Sequence, residues 1–180
     1  MQESGVAKKD VPQRVKVDEL LKELEEEVAT TRRVLERVPE EKLKWRPHPK
    51  ARTLGELALH VAIVPGGVAE FISAPSPGQA PEFIDPSPQS ASELIPALED
   101  SLKKAQKALG AMDDAALMET WRMMKGEREL FARPRLALLR AIMLNHRYHH
   151  RGQLTVYLKQ LDVPIPSIYG PSADENPFAG

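Results

Sequence analysis

Apolar side chains recur every three to four residues along four stretches of this chain, the spacing that gathers them on one face of an α-helix. In the first stretch, from Val17 to Val38, Leu20, Leu24, Val28, Thr31, Leu35 and Val38 form the stripe, Glu and Lys fill the other face, and Pro39 ends the run. The second opens at Thr53-Leu54-Gly55-Glu56, a capping box in which Thr53 is the N-cap and Glu56 reaches back, and continues through Leu57, Val61, Val64, Val68 and Phe71. Pro65-Gly66-Gly67 removes a hydrogen bond and loosens the backbone, which predicts a kink or break just beyond His60. A third stripe, Leu94, Leu98, Leu102, Ala105 and Leu109, predicts a helix over 92–111 with Ser92 as cap and Pro96 early enough to be tolerated. The fourth begins near Pro134 and runs to Leu161 through Leu139, Met143, His146, His150, Leu154 and Tyr157, until Val163-Pro164-Ile165-Pro166 stops it.

Between the second and third stripes, residues 73–96 hold six of the chain's 16 prolines and predict a long irregular connection. A connection of that length lets the helices on either side run parallel. Asp113-Asp114-Ala115-Ala116 suits one short helical turn, and Trp121 to Phe131, with Lys125-Gly126 inside it, suits a small hairpin. The Gly-, Pro-, Asn- and Asp-rich residues after Ser167 should wrap a surface. The pattern as a whole predicts an all-α protein, a four-helix bundle with a long crossover between helices two and three, in a single domain spanning residues 1–180.

Lys and Arg total 25 against 26 Asp and Glu, so the net charge of -1 offers no field for a phosphate backbone and nucleic acid is not an expected partner. No apolar run reads as a signal peptide or a bilayer span, so the sequence predicts no membrane association and a cytoplasmic location. Cysteine is absent, which removes disulfides, thiolate nucleophiles and Cys-containing zinc sites and leaves histidine and carboxylate as strong metal ligands.

Histidine on a core stripe is costly unless something satisfies it. His146 and His150 are one turn apart at the centre of the fourth stripe, where two imidazoles can converge on one cation. The pair reads either as metal ligands or as core histidines satisfied by hydrogen bonds, and the spacing alone does not separate the two. A third ligand would come from another helix, and His60, on the inner side of helix two, is the candidate. His149 lies about 60° round the helix from His146 and suits a surface or supporting role. His48 sits between prolines in a rigid loop. Glu56 could orient His60, but the capping box already engages it. Gln153, one turn beyond His150, suits either a contact to a bound ligand or a buried amide bonded to a neighbouring helix. Tyr157 reads as core, and Arg147 and Arg151 read as an outward, solvated face or a dimer rim.

The runs Trp45-Arg46-Pro47-His48-Pro49-Lys50, Thr53-Leu54-Gly55-Glu56-Leu57 with His60, Asn145-His146-Arg147-Tyr148-His149-His150-Arg151-Gly152-Gln153-Leu154 and Gly170-Pro171-Ser172-Ala173-Asp174-Glu175 together resemble the DinB-like family, named from DNA-damage-inducible bacterial proteins and unrelated to the DNA polymerase that shares the name. The resemblance implies a four-helix bundle with a long crossover, usually dimeric, that holds a divalent metal on three histidines. The family's helix-two histidine falls on His60 and its H-x-x-x-H on His146 and His150.

Relatives include S-transferases and isomerases that use low-molecular-weight thiols, so the resemblance implies a metal-dependent transferase with a small thiol as cosubstrate; imidazole ligands suit zinc or nickel as the metal, and the same centre could serve a hydrolase. A three-histidine ion with open positions can activate water or bind a thiol as its thiolate. The alternative is a non-catalytic, metal- or ligand-binding homodimer. No Gly-rich phosphate loop or Ser-His-Asp order competes with the metal reading.

Overall fold

The computed structural model describes residues 13–82 and 84–179. Four long helical rods make the bundle: α1 (Val15–Leu35), α2 (Leu54–Ser73), α3 (Leu94–Gly110) and a last rod built from α5 (Arg135–Leu138), a π-helical stretch (Leu139–Asn145) and α6 (His146–Gln160). A short α4 (Asp114–Met118) with Asp113 as its N-cap stands where the sequence suggests a single turn.

Contacts between rods give their directions. Gly66 meets Ser101, and Ser73 meets Met112 further along both helices, so α2 and α3 run parallel, as the long proline-rich connection predicts. Against α1 the order reverses: Arg14 binds the Gly110 carbonyl, whereas Arg32 pairs with Glu99. Against the last rod, His60 lies beside His146 while Arg135 donates to the Ile72 carbonyl, so α2 and that rod are antiparallel. The core is the set of inner stripes, with Leu20, Leu24, Leu57, Leu98, Leu109, Met143 and Leu154 all sealed from solvent.

Helix ends are closed by partners far away in sequence. The carboxylate of Asp114 accepts from the backbone N–H groups of Lys16 and Val17, satisfying donors at the start of α1 that no local side chain caps. Thr53 and Glu56 form the capping box of α2 as its sequence predicts. At the other end of α2, Arg135 donates to the Ile72 carbonyl at 3.0 Å and binds Glu119 at 2.7 Å.

Several expectations are corrected. α2 is helical straight through Pro65-Gly66-Gly67 rather than broken there. Ser101 on α3 braces the backbone on either side of Pro65: its hydroxyl accepts from the Gly66 N–H at 2.8 Å and donates to the Ile63 carbonyl at 3.1 Å. Gly66 is required for this approach, since a Cβ there would lie 2.7 Å from the Ser101 carbonyl oxygen. The cap before α3 is Ser90 rather than Ser92, with a 3-10 turn between. The crossover also contributes structure, a two-residue strand β1 (Gly78–Gln79) that pairs in parallel with β2 (Thr120–Lys125), which forms the expected hairpin with β3 (Arg128–Pro134). Gly78 lies against the indole of Trp121, where any side chain would collide. Finally, α2 does have the length and mean hydropathy, 1.4, of a membrane span. Those apolar residues are the centre of the bundle core, with Leu54, Leu57, Val61 and Ala69 buried by the other rods.

Candidate metal centre

The antiparallel packing of α2 on the last rod brings His60 to His146 and His150. Ligand nitrogens of the three lie within 4.8 Å of one another, and the ring centroids are 4.4 to 5.2 Å apart. The Nε2 atoms of His60 and His146 stand 3.0 Å apart. On bonds of about 2.1 Å, imidazole nitrogens at right angles around an ion lie about 3.0 Å apart and tetrahedral ones about 3.4 Å apart. The spacing therefore fits a shared cation, and it also fits an N–H···N hydrogen bond with one ring as donor.

The surroundings of the third ring favour the cation. His150 Nδ1 and Gln153 Oε1 are 2.7 Å apart. An amide oxygen can only accept, so this contact assigns the proton of His150 to Nδ1 and leaves Nε2 as a lone pair. Three rings with inward-facing nitrogens carry more lone pairs than one shared proton can satisfy. A divalent ion matches that donor set, and imidazole suits zinc and nickel alike.

Electrostatics agree. Burial, with the Arg52 guanidinium second in weight, lowers His60 to about 4. Burial also lowers His146, again followed by Arg52, and it lowers His150 despite the opposing hydrogen bond that His150 donates to Gln153. All three imidazoles are neutral at physiological pH, the form in which they ligate metals.

The sequence missed one participant. Asp85, in the proline-rich crossover, lies 3.6 Å from His60 Nδ1 and 2.9 Å from Arg52 Nε. The first distance is too long for a hydrogen bond, yet it places a carboxylate behind a candidate ligand, the arrangement that orients metal-bound histidines. Glu56 does not serve that purpose and stays in its capping box. Gln153 neither faces the centre of the cluster nor bonds another helix; it is an exposed residue that braces His150 from outside.

The other candidates fall away from the cluster. His149 is exposed, its ring against His150, and His48 is exposed in its loop, accepting from the Lys50 N–H. Tyr157 packs edge-on against Trp45. Arg147 and Arg151 are not an outward face: they are 0% and 1% exposed, turned between α6 and α1. Arg151 binds Glu27 and Thr31 on α1 and donates to the Tyr169 hydroxyl, so α1 and the tail after α6 together hold this cation inside.

His60 and His146 also form one end of a cavity of about 800 Å³ that extends between α2 and α3. A site with the histidines at its wall and open volume beside them differs from a closed structural metal site, which has no room for a further ligand.

A sequence model described as the DinB family matches residues 12–177. The chain belongs to the DinB family. Among curated proteins, an uncharacterized protein YrdA of Bacillus subtilis strain 168 is 29% identical over 160 residues, covering 88% of this chain and 91% of its own length. Among solved structures, a DinB-like protein from Bacillus cereus ATCC 10987 superposes with a TM-score of 0.66 at 24% identity, over 88% of this chain and 100% of that one. The DinB-like protein YjoA of Bacillus subtilis gives 0.62 at 17% identity, over 83% and 97%. The helical bundle with its crossover is therefore the DinB fold, and the histidine cluster of this DinB protein is one that could hold a metal ion.

Proposed function

We propose that this DinB protein binds one divalent transition metal, zinc or nickel, through His60, His146 and His150, and that it is an enzyme of S-transfer from a low-molecular-weight thiol to an electrophile. The observation that carries the reading is the convergence of three neutral imidazoles, two of which, His60 and His146, line an open cavity. A divalent ion held there supplies Lewis acidity, favouring the thiolate over the thiol without a protein base. His60, His146 and His150 hold the centre, while Gln153 and Asp85 orient the rings. In the overall reaction the thiol sulfur forms a new C–S bond, the leaving group departs with the electrons of its bond to carbon, and the thiol proton passes to solvent.

Hydrolysis is the second reading, and the cavity favours it less. Water attack benefits from a carboxylate base beside the metal, whereas Asp85, the carboxylate beside His60, is held by Arg52, and the other lining carboxylates, Glu70 and Asp100, are exposed residues of the two helices, Asp100 paired with Lys104. The family resemblance supports a homodimer, and the lack of cysteine suits the cytoplasm.

The test is untagged protein loaded with zinc or nickel, a panel of bacterial thiols and a fluorogenic alkyl bromide, with His150→Ala as control. Metal-dependent turnover with at least one thiol is the expected result. Turnover absent with every thiol, or equal after the metal is removed, overturns S-transfer.

A further inference from the structure

The cavity beside the histidines has a chemistry of its own. Its walls are the half-buried or buried apolar side chains Ile63, Val64, Val68 and Phe71 of α2, Met123 of β2 and Ile142 of the π-helical stretch. Apolar groups on the inward faces of a bundle normally touch one another, yet here they leave space large enough for a small molecule. Adjacent glycines of α2 show how that space arises. Gly66 draws α3 into backbone contact at Ser101, whereas a Cβ on Gly67 would meet nothing within 4 Å.

The lining charge is two cations, Arg52 and Lys104, and three carboxylates, Glu70, Asp85 and Asp100, so the cavity offers nothing extra to an anion. Arg52 is paired with Asp85 at 2.9 Å and Lys104 with Asp100 at 2.8 Å, so neither lining cation is left without a carboxylate partner for an anionic ligand. At the rim, Ile84 lines the opening with 81% of its surface in solvent, an apolar side chain that an occupant would cover.

We infer that this cavity binds the uncharged, apolar body of the electrophilic substrate, an alkyl or aryl chain whose reactive end lies at His60 and His146 and whose tail extends along α2 toward Phe71 and Met123. The assignment of this occupant as the electrophile rests on the S-transfer reading; the preference of the cavity for an uncharged apolar chain rests on its walls alone.

Two measurements test the cavity with and without the metal, so that its failure and that of the metal reading can be told apart. In the first, straight-chain alkyl hydroxamates of four to eight carbons are titrated into zinc-loaded protein by calorimetry, the hydroxamate serving as a metal-binding head and the chain as the probe. Affinity should rise about threefold to fourfold for each added methylene until the cavity is filled. The series should flatten in Gly67→Phe and in Ala97→Phe, which fill the cavity from α2 and from α3, with zinc content unchanged. Chains whose far end is a carboxylate should lose the gain. In the second measurement, the neutral fluorophore Nile red is titrated into metal-free His150→Ala protein, where it should bind with a blue-shifted emission that Gly67→Phe abolishes.

A flat hydroxamate series on zinc-bearing protein, or a series equally steep in both filled variants, overturns the cavity assignment while the metal reading stands. Protein that holds no zinc but binds Nile red in a Gly67-dependent way overturns the metal reading while the apolar cavity stands. Equal affinity for carboxylate-terminated chains overturns the uncharged preference.

Discussion

Two pairs of basic residues occupy neighbouring faces of α6 at the same i, i+4 spacing, His146 with His150 and Arg147 with Arg151, and the bundle treats them in opposite ways. The histidines are partly buried and respond by giving up their charge, since burial lowers their pKa values and leaves lone pairs facing one another. Arginine has no such escape, because its guanidinium stays protonated at any physiological pH. Even with burial and Arg151 lowering it to about 10, Arg147 remains a cation. Arg151 is therefore surrounded by acceptors: Glu27 at 2.7 Å, Thr31 at 3.1 Å and Tyr169 at 2.6 Å. Arg147, one turn earlier, has none for Nε, Nη1 or Nη2 among the described residues. The same spacing on the same helix thus produces a potential ligand pair on one side and a structural clamp on the other, decided by whether burial removes the charge or traps it.

The sharpest way to break this comparison is to remove one histidine. His150→Ala should reduce bound metal from about one ion per chain to background, measured by elemental analysis after dialysis, with the helical circular dichroism unchanged. His149→Ala, exposed beside the same ring, should keep its metal. Retention of stoichiometric metal in both His146→Ala and His150→Ala would show that the histidine face is not a ligand set.

On the arginine face the expected loss is in stability rather than in metal. Glu27→Gln leaves Arg151 buried without its countercharge and should cost about 3–5 kcal/mol in urea unfolding. Arg147→Met should go the other way. Replacing a buried cation that lacks acceptors by an apolar side chain of similar length should be neutral or stabilise by about 1–3 kcal/mol. A loss similar to that of Glu27→Gln would mean that Arg147 has a partner and that the two arginines are equivalent.

A smaller change sharpens the histidine side. Gln153→Leu removes the group that orients His150 but keeps every candidate ligand, and it should weaken metal affinity about 10- to 100-fold, read by chelator competition. Unchanged affinity would make the amide incidental.

The last test is in pH. His60 has a folded pKa of about 4 against an ordinary 6.5, so between those values the unfolded chain binds more protons than the folded one. Stability of the metal-free protein should be full above pH 6.5 and decline as the pH falls toward 4, then stop responding to this group. Glu27→Gln should keep that decline and His60→Gln should lessen it. A metal-free midpoint denaturant concentration that is flat across this range in both would contradict the neutral, buried histidines.

Periodicity made the four rods legible, along with the capping box at Thr53, the hairpin around Lys125-Gly126 and the parallel course of α2 and α3, because each depends on local spacing or on chain length. The same spacing exposed His146 and His150, two polar residues where a core stripe calls for aliphatic ones. What the chain's order could not disclose was which groups distant in sequence would meet. Pro65-Gly66-Gly67 looks like a break until Ser101 arrives from α3 to brace the backbone on either side of Pro65, and Gly67 looks like flexibility until the neighbouring helix leaves a cavity in front of it. Asp85 sits in a proline-rich connection with no periodic signal and gains its role only because that connection crosses over His60. Arg147 and Arg151 carry a composition that argues for solvent, and only the packing of α1 and the return of Tyr169 put them inside. Local sequence determines where the backbone can form a helix and which stripe is apolar; whether a charge is exposed, neutralised or trapped is decided by what the other rods bring against it, since desolvation and pairing energies exist only once those surfaces are in contact.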